Sequence, residues 1–555
     1  MTLSQSAASA SLPDLDTLSL ERQVAQMFVV RASGFLFDSQ IRYPAWEPRA
    51  ATLQRWIADV GVGGVILVDG SAPELMLRTD RLQGWAEIPL LVSADIEEGV
   101  GQRFAGATWF PPPMAIGDIA RRDRALAIDY AQKMGRFTAS EALAIGINWI
   151  LAPVVDANNN PENPVINVRS FGPDPAVVSE LAAAFVRGTQ EYPVLNTAKH
   201  FPGHGDTSID SHLELPTLPH SPERLLEIEL PTFLGAIAAG VDGIMSAHLL
   251  VPAWDAERPA TLSPEILTGR LREELGFEGL IVTDALVMGA IAKRYDPNEA
   301  TVLAVEAGAD IILMPVDPEG GIRAICDAVR AGRISPERIR QSVERIWQAK
   351  GKVLARAGSE EKSAVSEAIA QLATPAAIET AAGILQNSLR CGPTLESLPK
   401  SDKPRRNLIV IDDPFQCPFL DRQAPAIAIP EKLGYELQLV ARSTPSLEDL
   451  FQNSGISQPT ISANHNTDKF DSTLLQVFVR GNPFGTSAAL TRLARFWLNR
   501  LLEMRELQAV AVYGSPYTLD EFLQHLPPQL PYAFSYGQMP QAQQILLSGL
   551  LTHLR

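Results

Sequence analysis

Eight short apolar runs constrain this chain more than anything else in it. They lie at residues 26–30, 64–68, 90–94, 148–155, 194–198, 243–247, 280–283 and 310–314. They are rich in Val, Ile and Leu and almost unbroken in apolarity, as parallel strands buried on both faces must be. Stretches between them, such as 125–144, 176–189 and 222–239, carry the spacing of amphipathic helices. Alternation of this kind permits either a (β/α)8 barrel or an open doubly wound sheet. The polar residues favour the barrel. Asp95 ends the third run, Asp156 the fourth, Lys199-His200 the fifth, His248 the sixth and Asp284 the seventh. In a barrel the C-terminal strand ends converge on one site. The expected fold class is α/β, an N-terminal (β/α)8 TIM-type barrel followed by a smaller α/β layered C-terminal domain.

The loop after the fifth run is the densest in chemistry. Lys199-His200-Phe201-Pro202-Gly203-His204-Gly205-Asp206-Thr207-Ser208-Ile209-Asp210-Ser211-His212 holds three of the chain's eight His, with two Asp and a Lys. Loops held by a rigid scaffold are where catalytic residues concentrate. Asp210 and His212 are two residues apart, so in an extended loop they point the same way, and the carboxylate can fix the imidazole's tautomer. A His so paired can give and recover a proton near neutral pH. A metal site built on His200, His204, Asp206 and His212 is an alternative, although the spacing matches no common zinc motif. Asp284, leaving a buried strand, is either a carboxylate nucleophile on a rigid strand end or the cap of the next helix.

Composition narrows the class. A net charge of −17 over 555 residues and a pI near 5.0 argue against nucleic acid or an anionic membrane as main partner. Cys326, Cys391 and Cys417 have no metal or disulfide spacing. No uninterrupted apolar run is long enough to span a bilayer. The Ser/Ala-rich N-terminus has no signal-peptide pattern, so a cytoplasmic protein is expected. The expected organisation is a disordered lead-in at 1–18, the barrel at 19–355, a helical connector at 356–403 and the small α/β domain at 404–555. In that last domain 407–411, 436–440, 475–479 and 510–513 read as strands and 488–506 as a helix. It has no phosphate loop or dinucleotide fingerprint.

The run KHFPGHGDTSIDSH, the TDAL around Asp284, the RSFG at Arg169 and the segment from Asp95 to Arg103-Phe104 resemble glycoside hydrolase family 3. The resemblance covers roughly residues 20–350 and is closest to the bacterial β-N-acetylglucosaminidase branch. It implies a retaining exo-β-N-acetylhexosaminidase acting on short glycosides such as cell-wall muropeptide or chitin fragments. Asp284 would be the nucleophile and His212 the acid/base, oriented by Asp210. Asp95, Arg103, Arg169, Lys199, His200 and His248 would grip the N-acetylglucosamine, with no metal or organic cofactor. Two alternatives stay open, a phosphorylase of the same branch and a catalytically silent sugar-binding protein. The sequence sets no oligomeric state. One departure stands out. Where the family reads D-x-E-G-G-R-V-x-R, this chain has Glu98 for the first Gly and Val100 for the first Arg.

Overall fold

The computed structural model of the protein describes residues 12–354, 365–395, 403–441, 470–480 and 487–551. Residues 1–11 of the expected lead-in and residues 356–364 and 396–402 of the expected connector lie outside the described residues. The chain divides into two compact units, Met1–Ala381 and Ala382–Arg555.

The first unit holds eight parallel strands, β1 (Phe28–Ser33), β2 (Gly64–Val68), β3 (Leu91–Ala94), β4 (Trp149–Ile150), β5 (Leu195–Phe201), β6 (Gly243–Ser246), β7 (Leu280–Val282) and β8 (Ile312–Leu313). From β1 to β7 each strand pairs with the next, β8 pairs with β1, and a parallel bridge from Val282 to Ile311 closes the ring. This is the barrel, not the open sheet. Its wall is hydrocarbon on both faces, with Val29, Leu91, Trp149, Ile244 and Ile281 fully buried. Each such side chain withdrawn from water contributes about 1.5–3 kcal/mol.

Some elements differ from the sequence reading. Gln26 does not begin a strand. It closes the helix Leu20–Gln26, which Ser19 starts by accepting from the Arg22 N–H. The fourth run yields only two strand residues, because Pro153 has no N–H to give to a ladder. Residues 12–18, expected to be disordered, are fastened. They carry the 3-10 turn Leu15–Thr17, the Trp347 indole donates to Pro13 O at 2.9 Å, and Arg340 pairs with Asp16.

Strand register shows which side chains meet inside the barrel. The pairing line Arg31–Ile66–Ser93–Trp149–Leu195 joins residues on one face of the sheet. Followed through β6, β7 and β8 back to β1, the line descends by eight residues, one per strand, as in the usual eight-stranded barrel. A level plane therefore rises one residue per strand relative to the pairing line. Starting at Arg31 it passes through Asp95 just after β3, Lys199 on β5 and Asp284 after β7. Four inward side chains from alternate strands form one layer. All four are ionisable.

The second unit is a six-stranded sheet in the order β11-β10-β12-β13-β14-β9. Its strands are β9 (Arg390–Cys391), β10 (Arg405–Ile411), β11 (Tyr435–Ala441), β12 (Ser472–Val479), β13 (Leu507–Gly514) and β14 (Tyr532–Ser535). All pairs are parallel except β14 with β9. The helix Ser487–Glu503 follows β12, and Ile409, Phe478, Tyr513 and Leu546 belong to its apolar core. The sequence reading missed β9, which is two residues long and half polar.

Candidate active site

β5 delivers Lys199 into the lumen, 1% exposed, where Nζ lies 2.6 Å from Asp95 Oδ1 and 2.7 Å from Glu97 Oε1. Glu97 also takes a two-pronged grip from Arg169, with Nε donating at 2.8 Å and Nη2 at 2.7 Å. Two carboxylates and two cations thus interlock at the ends of β3 and β5 and on the loop after β4. Burial works to raise the Glu97 pKa, but Arg169 and Lys199 outweigh it and hold the group well below its ordinary value. Burial works to lower Lys199, and Asp95 with Glu97 hold it above its ordinary value. The cluster is charge-balanced, and Glu97 and Lys199 stay ionised beside near partners. It presents a fixed array of charge-assisted donors and acceptors, the kind of surface that recognises sugar hydroxyls.

A second carboxylate organises the next strand end. Asp156, fully buried, accepts from the His204 N–H at 2.6 Å and the His200 N–H at 3.2 Å. Its Oδ2 lies 2.8 Å from His200 Nδ1. An ionised carboxylate only accepts, so His200 carries its proton on Nδ1. The loop that follows needs its glycines. Gly203 has φ +131°, and a Cβ at Gly205 would stand 1.8 Å from Ala157 O.

At the far end of that loop, Asp210 Oδ1 accepts from the His212 N–H at 2.8 Å and pairs with His212 Nδ1 at 2.9 Å. The contact expected from the sequence is therefore formed, with the Nδ1 proton on the Asp210 side. Asp284 Oδ1 accepts from the Ala285 N–H at 2.7 Å. Burial works to raise its pKa, but His248, His200 and His212 prevail and hold it below the usual carboxylate value. It is an anion facing three imidazoles.

Two expected sugar contacts sit differently. His248 is fully buried, with Nδ1 on Thr261 Oγ1 at 2.8 Å and Nε2 on Ala285 O at 3.1 Å. Both nitrogens are engaged, so His248 positions the turn that carries Asp284 and offers no atom to a sugar. Arg103 is exposed, its Nε donating to Asp95 O at 3.2 Å, and it stays outside the buried cluster. The metal alternative is corrected. His204 Nδ1 is on Thr207 Oγ1 and Nε2 on Ser211 Oγ, while Asp206 pairs with His220. Those side chains point to separate partners.

Sequence reading passed over Glu97 and gave Asp156 no role. The signal for Glu97 was its spacing, two residues beyond Asp95 in D-x-E. The Glu98 departure has a plain structural use. Its side chain is buried and accepts from the Trp109 indole N–H at 3.0 Å, while Val100 is fully buried.

Residues 19–349 match the Glycosyl hydrolase family 3 N terminal domain and residues 398–552 the Bacterial Glycosyl hydrolase family 3 C-terminal domain. The chain belongs to glycosyl hydrolase family 3. Over 355 residues, 57% of this chain, it is 37% identical to Beta-hexosaminidase A of Pseudoalteromonas piscicida, matching 59% of that protein. Over 295 residues, 51% of this chain, it is 33% identical to Beta-N-acetylglucosaminidase/beta-glucosidase of Cellulomonas fimi, matching 51% of that protein. The chain thus spans between half and three-fifths of these two relatives. A family 3 beta-N-acetylglucosaminidase from Paenibacillus sp. str. FPU-7 superposes with a TM-score of 0.77 and 29% identity, covering 97% of both chains. Among the described residues no helix is long and apolar enough to cross a membrane.

Proposed function

We propose that the protein is an exo-acting, retaining β-N-acetylhexosaminidase that releases terminal N-acetylglucosamine from short glycosides, including cell-wall muropeptide or chitin fragments. The observation that carries this reading is the nearness of Asp284, felt as attraction between its carboxylate and His212, to the Asp210–His212 dyad at the strand ends of one barrel. Retaining hydrolysis needs a nucleophilic carboxylate on one side of the anomeric carbon and a proton donor near the leaving oxygen.

Asp284 attacks the anomeric carbon and forms a glycosyl ester as the bond to the leaving oxygen breaks. His212 Nε2 gives its proton to that oxygen, and Asp210 stabilises the imidazolium before transfer. His212 then takes a proton from water, which attacks the anomeric carbon and frees Asp284. Asp95, Glu97, Arg169 and Lys199 hold the sugar hydroxyls throughout, with His200 beside them. Arg103 serves from the rim.

The test compares release of nitrophenol from the β-N-acetylglucosamine and β-glucose glycosides, with and without phosphate. Turnover of the first alone, indifferent to phosphate, is the expected result. Phosphate-dependent turnover with sugar 1-phosphate as product would make the protein a phosphorylase. Binding without turnover would make it a silent sugar-binding protein.

A further inference from the structure

The level plane through the barrel places a fourth ionisable residue at the height of Asp95, Lys199 and Asp284. Arg31, on β1, pairs in register with Ile66 and so with the inward face of β2 and β3. Its guanidinium does not stop at the lumen wall. It lies 3.2 Å from Glu47 Oε1, with its carbon 5.2 Å from the Tyr43 ring centroid and 5.5 Å from that of Trp46. Tyr43 and Trp46 stack on each other at 6.3 Å and 21°. Glu47 is 3% exposed, yet Tyr43 is 41% and Trp46 44% exposed. Two aromatic rings are thus fastened, through one buried ion pair and two cation–π contacts, above the layer that holds the nucleophile, and they remain open to solvent. Arg31 Nε is buried without a hydrogen-bond partner.

We propose that Tyr43 and Trp46, held by Arg31 and Glu47, form the leaving-group subsite and stack the pyranose ring that follows the released sugar. This rests on the hydrolase reading above. The chemistry favours a second β-linked amino-sugar ring. One face of such a pyranose is lined by C–H groups, and an aromatic face carries the negative lobe of the ring quadrupole that attracts them. The buried hydroxyl-binding cluster takes the glycone. What projects from an exo-acting pocket is the leaving group, so it meets the exposed rings at the mouth. The Arg31–Glu47 pair makes the platform rigid, which lowers the ordering cost of binding a mobile glycan.

The test uses the full chain carrying Trp46→Ala, Tyr43→Ala and the conservative Trp46→Phe. Chitobiose is the ring-bearing substrate, and N-acetylglucosaminyl β-fluoride, whose leaving group has no ring, is the control. For Trp46→Ala, kcat/KM on chitobiose falls about tenfold. On the fluoride it stays unchanged, as does inhibition by free N-acetylglucosamine, and Trp46→Phe recovers most of the loss. Equal losses on both substrates, or none on either, overturn the proposal. Titration of chitobiose into Asp284→Asn, with and without Trp46→Ala, separates this inference from the one beneath it. Weaker disaccharide binding with unchanged monosaccharide binding supports the platform even where wild-type protein turns over nothing. Unchanged disaccharide binding overturns the platform even in an active hydrolase.

Discussion

Glu97→Gln changes one oxygen to an amide nitrogen and keeps the shape of the side chain. The wild-type carboxylate receives three charge-assisted contacts, two from Arg169 at 2.8 and 2.7 Å and one from Lys199 at 2.7 Å. The amide nitrogen would face N–H donors, and both cations would lose a counter-charge. Breaking a buried ion pair costs roughly 3–5 kcal/mol. Lys199 keeps Asp95 at 2.6 Å, so the low end applies, about 3 kcal/mol. That should lower the melting temperature of the barrel by roughly 3–6 °C, because a large domain shifts by only a degree or two per kcal/mol. Misalignment of the sugar grip should lower kcat/KM by about 30-fold, equivalent to ~2 kcal/mol.

The pH signature follows from signs. Glu97 sits below its ordinary 4.5 in the fold, so its stabilisation is complete above about that value and fades as pH falls toward the folded pKa. The gap between wild type and variant should therefore close on acidification. Without Glu97, burial pulls the Lys199 pKa down against Asp95 alone, and the alkaline limb of kcat/KM should move to lower pH. Thermal melts from pH 3 to 8 and pH–rate profiles decide the matter. An unchanged alkaline limb with unchanged kcat/KM would refute the argument that this cluster holds the sugar.

Further outcomes are expected. Asp284→Asn keeps an oxygen for the Ala285 N–H and should fold normally while losing at least ~10⁴ of turnover on nitrophenyl substrates; residual rates near wild type would remove it as nucleophile. His212→Ala should slow natural disaccharides about 100-fold more than dinitrophenyl glycosides, which need little protonation, and equal losses in steady-state assays would deny it the acid role. Burial pushes Glu229 up to about 7 despite Arg224. Its folded form keeps a proton that the unfolded chain has lost, so stability should fall between pH 4.5 and 7 and level off above. Glu229→Gln should flatten that slope in denaturant titrations.

The barrel was legible because its strands are buried on both faces, which leaves near-continuous apolar runs, and because ionisable residues ended five of them. The Asp210–His212 dyad was legible from its two-residue spacing, but the chain there is a turn, with the Leu213 and Glu214 N–H groups on Asp210 O, and not the extended loop that spacing suggested. Other features were hidden by their distance in sequence. Glu97 gains its role only when β5 swings Lys199 against it, 102 positions along the chain. Arg31 reads as one charge in an apolar run, and only the descending register puts it level with Asp284. The partners of His248 were hidden because a strand-end His reads the same whether its nitrogens face a sugar or, as here, Thr261 and a backbone carbonyl. The N-terminal turn was missed because its anchors, Trp347 and Arg340, lie more than 300 residues away.

His204 gives the acid-bearing loop an unusual kind of hinge pin. Its backbone is moored to Asp156 and its ring spans Thr207 and Ser211, next to the dyad. Burial drives its pKa down to about 4, so the ring stays neutral at neutral pH. Hydroxyls serve as donor or acceptor, so either tautomer of His204 satisfies both neighbours. The brace therefore does not depend on which of its ring nitrogens carries the proton. Under the proposed mechanism one histidine changes charge twice per turnover, while another, eight residues earlier in the same loop, keeps the frame still.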